Sequence, residues 1–449
     1  MKIRKSHSSS APLPTPAIVF VLCLLVATVV APANSQSLTG TDRERGRVML
    51  DQIKDDIKKN YYDPAFHGVD VDAQFKAADD MLKRATSLGQ VFGIIAQSVL
   101  SLNDSHTFFV PPTQTLSSDY GWEVQAIGDE CYVVAVKPGS DAEVKGLKAG
   151  DLIISVNGIP LKRDELWKFR YLYYALRPQP GMQLVVQGPD SQPRTLSVLA
   201  KIRNDKQRLD FTGMTGGADI WNTIREIERK NQLRRQRHHE LGNDLLIWKM
   251  PQFDLSLKNV DAMIDRMMSR KAVILDLRGN SGGAETTLLH LIGRFFDKDV
   301  SVGSLKRRKE TKQLRATTHD PTFKGKLAVL VDSDSASAAE MFARMVQLEQ
   351  RGTVIGDRTE GAVMRSRFHP HQMGMDVAVF YGASVTDADV IMPDGKSLER
   401  AGVAPDVFML PSAKDLASKR DPVLAHAASL LGFTIDPQKA GALFPREWK

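Results

Sequence analysis

Two near-continuous apolar runs, AVILDLRG from Ala272 and LAVLVDS from Leu327, constrain this chain more than any other feature. A strand with one wet face alternates polar and apolar residues. These runs do not, so they read as strands covered on both faces. The covers are written between and around them. LKNVDAMIDRMMSR, AETTLLHLIGRFF and AAEMFARMVQLEQ have helical spacing, LLIWKM precedes as a strand and TVIGDR follows as another. Strand and helix in alternation make an α/β sheet with crossover connections. The core is assigned to residues 243–410.

The remaining length cannot belong to the same core, because 449 residues call for two to four domains. Residues 41–112 carry three amphipathic helical segments and read as a helical cap. Residues 118–203 carry short β-rich runs (CYVVAV, DLIISVNG, MQLVVQG, RTLSVLA) broken by Pro-Gly, Gly-Asp and Asn-Gly. Residues 204–242 form a charged linker, a solvated helix or loop, and 411–449 a tail with the final helix DPVLAHAASLLG. The class expected is multidomain α/β.

At the N-terminus Lys2, Arg4 and Lys5 precede an uncharged apolar run, Ala17 to Ala31, and the small residues Ala31-Pro32-Ala33. This is the pattern of an export signal over residues 1–33. As a helix the run is about 22 Å long, short of a hydrocarbon core of about 30 Å. A periplasmic or secreted protein is expected, with membrane attachment only if the segment stays uncleaved. Removal of Cys23 with the signal leaves Cys131 alone, so no internal disulfide forms.

Composition narrows the function. Apolar residues at 42% and charged at 25% exclude a disordered chain. A net charge of +7, partly held in the N-terminus and one local run, does not mark a nucleic-acid binder. His238-His239-Glu240 and His369-Pro370-His371 lack further ligand spacing, so no metal and no cofactor is expected.

Chemistry concentrates at strand ends. Ser337, in SDSASAAEMFARM, stands where a strand gives way to a helix. The positive helix end favours developing negative charge there. The turn Asn280-Ser281-Gly282-Gly283 ends the neighbouring strand, and its glycines admit close backbone approach. Ser333, Ser335 and Ser337 could instead merely cap the helix. Arg278, after Asp276, supports the turn.

DLRGNSGG and VLVDSDSASAAE, in this order and separation, resemble the tail-specific, or C-terminal processing, serine peptidases. The resemblance spans nearly the whole mature chain and implies a ClpP/crotonase-like peptidase core. It implies Ser337 as nucleophile, and an oxyanion hole from the amides of Gly282 or Gly283 and of Ala338. In the Ser-Lys branch a lysine after a T-x-G turn is the base, but in GDRTEGAVM that place holds Ala362. The tricorn-like Ser-His-Ser-Glu branch fits better. Its pattern implies Ser105 and His106 from LNDSHT, and Glu399 from DGKSLE. An imidazole, with an ordinary pKa of about 6.5, suits a base at neutral pH. Asp104, Ser105 and Glu399 are the candidates to orient it.

PGSDAEVKGLKAGDLIISVNG resembles the middle of a PDZ domain, with DELWKFRYLYYALR flanking a peptide groove. Such domains add a peptide as an extra strand and hold its carboxylate on backbone amides, here near Tyr120-Gly121-Trp122. The expectation is an exported serine endopeptidase acting on unfolded or C-terminal polypeptide segments. The rival is a binding module for peptide tails or apolar ligands without catalysis.

Overall fold

The computed structural model of the chain describes residues 38–112, 116–204, 237–374, 379–445 and 448. The expected export signal and most of the charged linker lie outside them. Three capped helices come first. Thr39 and Asp42 form a capping box on α1 (Gly40–Asn60), Asp70 caps α2 (Val71–Leu82) and Ser87 caps α3 (Leu88–Leu100). Apolar residues three and four apart on all three, such as Leu50, Ile53 and Ile57, fill one core. β1 (Phe108–Val110) follows.

The β-rich stretch forms β2 (Leu116–Asp119), β3 (Trp122–Ile127), β4 (Glu130–Val136), α4 (Asp141–Val144), β5 (Leu152–Val156), β6 (Ile159–Pro160), α5 (Arg163–Arg170), β7 (Gly181–Gln187), β8 (Arg194–Leu199) and β9 (Lys201–Asn204). An antiparallel sheet runs β3-β4-β5-β7-β8, with β6 beside β5 and β2 paired separately to β9. Alternate residues Trp122, Val124 and Ala126 point inward against Leu166 and Phe169 of α5 in a core of their own.

The C-terminal part comprises β10 (Arg237–Leu241), β11 (Leu245–Lys249), α6 (Leu257–Met267), β12 (Ala272–Asp276), α7 (Glu285–Phe295), β13 (Val300–Lys306), β14 (Thr311–Ala316), β15 (Lys326–Val331), α8 (Ala338–Leu348), β16 (Thr353–Gly356), β17 (Met364–Met373), β18 (Val379–Ile391), β19 (Val407–Phe408), α9 (Ala413–Ala417), α10 (Pro422–Leu430) and α11 (Pro437–Ala442). Its main sheet runs β10-β11-β12-β15-β16-β19, parallel except for β10 against β11. All five residues of β12 are buried, as the unbroken apolar run requires. Trp248, Val273, Leu275 and Val329 pack under α6, α7 and α8, while Ile247, Ile274 and Leu330 face Val423, Leu424 and Ala427 of α10.

Two expectations are corrected. The charged stretch does not stay linker to its end, because Arg237–Leu241 is the edge strand of the main sheet. The cap does not end as helix either: β1 pairs with β18, Phe108 opposite Ser384. β18 belongs to a second, antiparallel sheet, β1-β18-β13-β14 with β17 also on β18, which the reading of alternating strands and helices missed. Tyr381, Ala383 and Val385 of β18 complete the core of the helical cap. The cap is thereby fastened to the peptidase-like part, next to the end of the main sheet that carries Ser337.

Candidate active site

Ser337 sits between β15 and α8 with φ 55° and ψ −117°, a left-handed backbone that a side-chain-bearing residue adopts only when its surroundings enforce it. The enforcing contacts are visible. Ala336 N–H donates to Asn280 O at 2.8 Å, Ser335 Oγ donates to Leu277 O at 2.9 Å, and Ser337 N–H donates to Glu340 Oε2 at 2.9 Å. Ser333 Oγ donates to Ala126 O at 2.6 Å. Ser333 and Ser335 are therefore committed to other backbone segments, and Ser337 is the half-buried serine at the helix start.

The turn from β12 lies directly against it. A Cβ on Gly282, whose φ is +91°, would stand 2.6 Å from Ser337 Cβ and 3.0 Å from Ala338 N. Gly282→Ala is expected to displace this turn and lose at least about 2 kcal/mol of stability, measurable by denaturant unfolding. Gly282 itself is not a free oxyanion donor: its N–H donates to Asn280 Oδ1 at 2.8 Å. That corrects its place in the expected hole and leaves Gly283 and Ala338 as the candidates.

The segment between α3 and β1 carries the second half of the site. Asp104 Oδ1 accepts the backbone N–H of His106 at 2.9 Å and of Thr107 at 2.7 Å, and the Thr386 hydroxyl at 2.8 Å. Asp104 thus shapes the main chain, and the ring is held by others. Ser105 Oγ lies 2.7 Å from His106 Nδ1 and 2.8 Å from Glu399 Oε2, while Ser105 N–H donates to Glu399 Oε1 at 2.7 Å. An ionised carboxylate only accepts, so the Ser105 hydroxyl donates to Glu399 and accepts from Nδ1–H. With its proton on Nδ1, the imidazole has Nε2 as its basic nitrogen. Burial, and then the nearby Asp104, push the Glu399 carboxyl up to about 7 against the hydrogen bonds from Ser105.

Glu399 also accepts Val363 N–H at 3.0 Å, from the turn in which Ala362 stands at 7% exposure. The two residues before Val363 point their amides at Glu340, Gly361 at 2.8 Å and Ala362 at 3.0 Å. A continuous run of hydrogen bonds and two peptide units therefore joins Ser337 to Glu399, Ser105 and His106. Glu340 went unremarked in the sequence. The signal that could have found it is its spacing, the third residue after a helix-starting serine.

The PDZ residues are placed otherwise than expected. Tyr120 and Trp122 are buried in their own core, at 2% and 3% exposure. Gly121 N–H donates to Asp119 Oδ1 at 3.1 Å, so a carboxylate already fills the position foreseen for a peptide terminus. The edge of β3 faces the core: Val124 O accepts from Arg170 at 2.8 Å and Ala126 O from Ser333, while Arg170 pairs with Asp334 at 2.8 Å. A cavity of about 1130 Å³ lies here, lined by Tyr120 to Ile127 and by Lys249, Arg278 and Asp332. Arg278 is structural, forking onto Asp276 and Asp421 at 2.8 and 2.7 Å. His371 Nε2 lies 2.6 Å from Asp56 Oδ2, tying β17 to the cap. Among the described residues no cluster suited to a metal ion occurs, and no helix is long and apolar enough to cross a membrane.

Comparison with known proteins places this geometry. Residues 244–409 match the profile of peptidase family S41, and residues 132–168 that of the PDZ domain. The tail-specific protease of Haemophilus influenzae is 26% identical over 324 residues, covering 68% of this chain and 43% of that protein. This chain thus spans less than half the length of that relative. The carboxy-terminal processing protease CtpA of Bacillus subtilis is 23% identical over 397 residues, 86% of this chain and 75% of that protein. The solved structure of mature CPAF shares the fold, with a TM-score of 0.62 at 15% identity over 84% of this chain and 94% of that one. With both matched segments in this order, a PDZ match stands ahead of an α/β core that, over residues 244–409, is similar to peptidase family S41, a family of serine-type peptidases.

Proposed function

We propose that the chain is an endopeptidase that cleaves polypeptides through an acyl-enzyme on Ser337, with His106 as base, in the Ser-His-Ser-Glu manner. The observation that carries this reading is the Ser105 hydroxyl bridging Glu399 and His106 Nδ1, beside a turn where Ala362 replaces any lysine. His106 Nε2 takes the proton from Ser337 Oγ as Oγ bonds to the scissile carbonyl carbon. The carbonyl oxygen, now anionic, is met by the amides of Gly283 and Ala338 and by the N-terminal end of α8. The C–N bond breaks and the imidazolium returns the proton to the leaving amine. Water then gives its proton to His106, attacks the ester carbon and releases the acid and Ser337.

The substrate in this reading is an unfolded or loosely folded polypeptide. The relatives named as tail-specific and carboxy-terminal processing proteases support cleavage near a C-terminus. The basic start and short apolar run support export to the periplasm or beyond. A mature N-terminus near Asn34 or Gln36 is expected from sequencing the protein of the native host. A chain still starting at Met1 in the membrane fraction would contradict removal of the segment. The activity is tested with a labelled fluorophosphonate, which should modify Ser337 and block digestion of casein. Digestion that proceeds with Ser337 unmodified would refute the reading.

A further inference from the structure

Glu340 is fully buried, yet its carboxylate accepts four hydrogen bonds. Oε2 accepts Ser337 N–H at 2.9 Å and Ala362 N–H at 3.0 Å; Oε1 accepts the Thr359 hydroxyl at 2.5 Å and Gly361 N–H at 2.8 Å. A glutamate three residues into a helix ordinarily caps one amide at the surface. This one is withdrawn from water, which disfavours a carboxylate strongly unless hydrogen bonds replace its hydration. Three of the four donors come from another segment, the turn after β16. The following residue, Val363, donates to Glu399.

We infer that Glu340 is a positioning residue that couples the two halves of the site, holding the strained Ser337 backbone and the turn that secures Glu399 on one carboxylate. The inference rests on the serine reading above. One oxygen serves the nucleophile and the turn together, so the spacing between Ser337 and Val363 is set by a single acceptor atom. Thr359 reinforces the coupling, because its hydroxyl also accepts Val403 N–H at 2.6 Å, just beyond the Glu399 segment. A glutamine at 340 keeps the size but brings an amide group that meets two of the four donors with donors of its own.

The consequence reaches Glu399. Its surroundings are Ser105 and Asp104 from the segment before β1, Arg400 at 3.6 Å, Val363 from the turn, and Tyr62 after α1. Glu360 is the charged neighbour of Glu340. If the turn loosens, Glu399 loses the Val363 donor that favours its charged form, and its carboxyl rises further. Glu340→Gln is therefore expected to lower kcat about 10- to 100-fold with KM within about twofold, and to move the ascending limb of the pH–rate profile upward by about half a pH unit or more.

The experiment measures kcat, KM and the pH profile on a quenched unfolded substrate, with thermal unfolding as a fold check, for Glu340→Gln, Thr359→Val, Thr359→Ser and Ser337→Ala. Thr359→Val should show a weaker form of the same shift and Thr359→Ser should match the parent. If Glu340→Gln does not fold, the threonine pair decides alone, and equal profiles for the two overturn the coupling. A Glu340→Gln protein that is less stable but titrates at the parental pH also overturns it, since a merely structural residue would behave so. An inactive Ser337→Ala beside a Glu340→Gln of parental rate and profile refutes this inference alone. An active Ser337→Ala refutes the serine reading and the coupling with it.

Discussion

Ser337→Ala should lower turnover of an unfolded polypeptide by about 10⁴- to 10⁶-fold, the loss expected when the nucleophile of a cooperating unit is removed. The fold should be unaffected. The backbone at 337 is held by its own N–H on Glu340 and by its neighbour Ala336 bonded to Asn280, and the hydroxyl adds only its half of the capping box with Glu340. Alanine can occupy the same strained conformation with one fewer atom. The measurement is digestion of casein by matched amounts of parent and variant, with circular dichroism melting to show equal folding. Equal digestion would remove Ser337 from the mechanism, whatever the geometry around it.

The second large effect is expected at His106 and at the carboxylate behind it. His106→Ala should lower kcat by about 10³- to 10⁶-fold while leaving the binding of a tail peptide within about twofold. The pH dependence follows from the bridge through Ser105. Glu399 has its carboxyl pushed up to about 7 by burial. Below that pH it is protonated, and the Ser105 proton is free to turn toward Nδ1. The ring then carries its proton on Nε2 and cannot take one from Ser337. Above it the carboxylate holds the Ser105 proton, Nδ1 keeps its own, and Nε2 is the basic nitrogen. Activity should therefore rise with pH through about 7 and stay high beyond. Glu399→Gln should cost about 10²- to 10⁴-fold and remove this limb, leaving only the titration of the imidazole itself. A profile in Glu399→Gln identical to the parent would assign the limb to another group.

These effects could be anticipated from the sequence because the relevant residues lie in short segments whose local chemistry is nearly self-sufficient. VLVDSDSASAAE encodes a buried strand, a turn and a helix start within twelve residues, and LNDSHT a turn closed by Asp104 on the two amides after it. What could not be read depends on partners distant in the chain. β17 looks unlike a core strand, since RSRFHPHQM mixes charge, histidine and proline. Phe368 and Met373 of β17 and Tyr381, Ala383 and Val385 of β18 find their cover on the helical cap, while Ala388 and Val390 of β18 pack in the peptidase part. Gly282 looks like an oxyanion donor until the buried side chain of Asn280 takes its amide. Tyr120-Gly121-Trp122 looks like a carboxylate loop until Asp119 and the core occupy its donors and its strand edge. In the last two cases a side chain only two residues away claims the amide that the pattern leaves open, because the fold turns it back onto its own backbone.

The pairing of β1 with β18 has a consequence for how the protein is made. Ser105 and Glu399 are 294 positions apart, and the docking of β1 on β18, with Asp104 and Thr107 bonded to Thr386, brings their segments together. As synthesis proceeds, His106 emerges well before Ser337, and Glu399 after it. Long-range pairings of this kind form late, after the entropy of closing a large loop has been overcome. On the proposed mechanism, a nascent chain therefore carries Ser337 before it carries an ordered His106, and hydrolysis must await the docking of the Glu399 segment. The same topology works in reverse: on the proposed mechanism, partial opening of the cap should separate His106 from Ser337 before the main sheet melts. Damaged copies of the enzyme should thus fall silent rather than become indiscriminate.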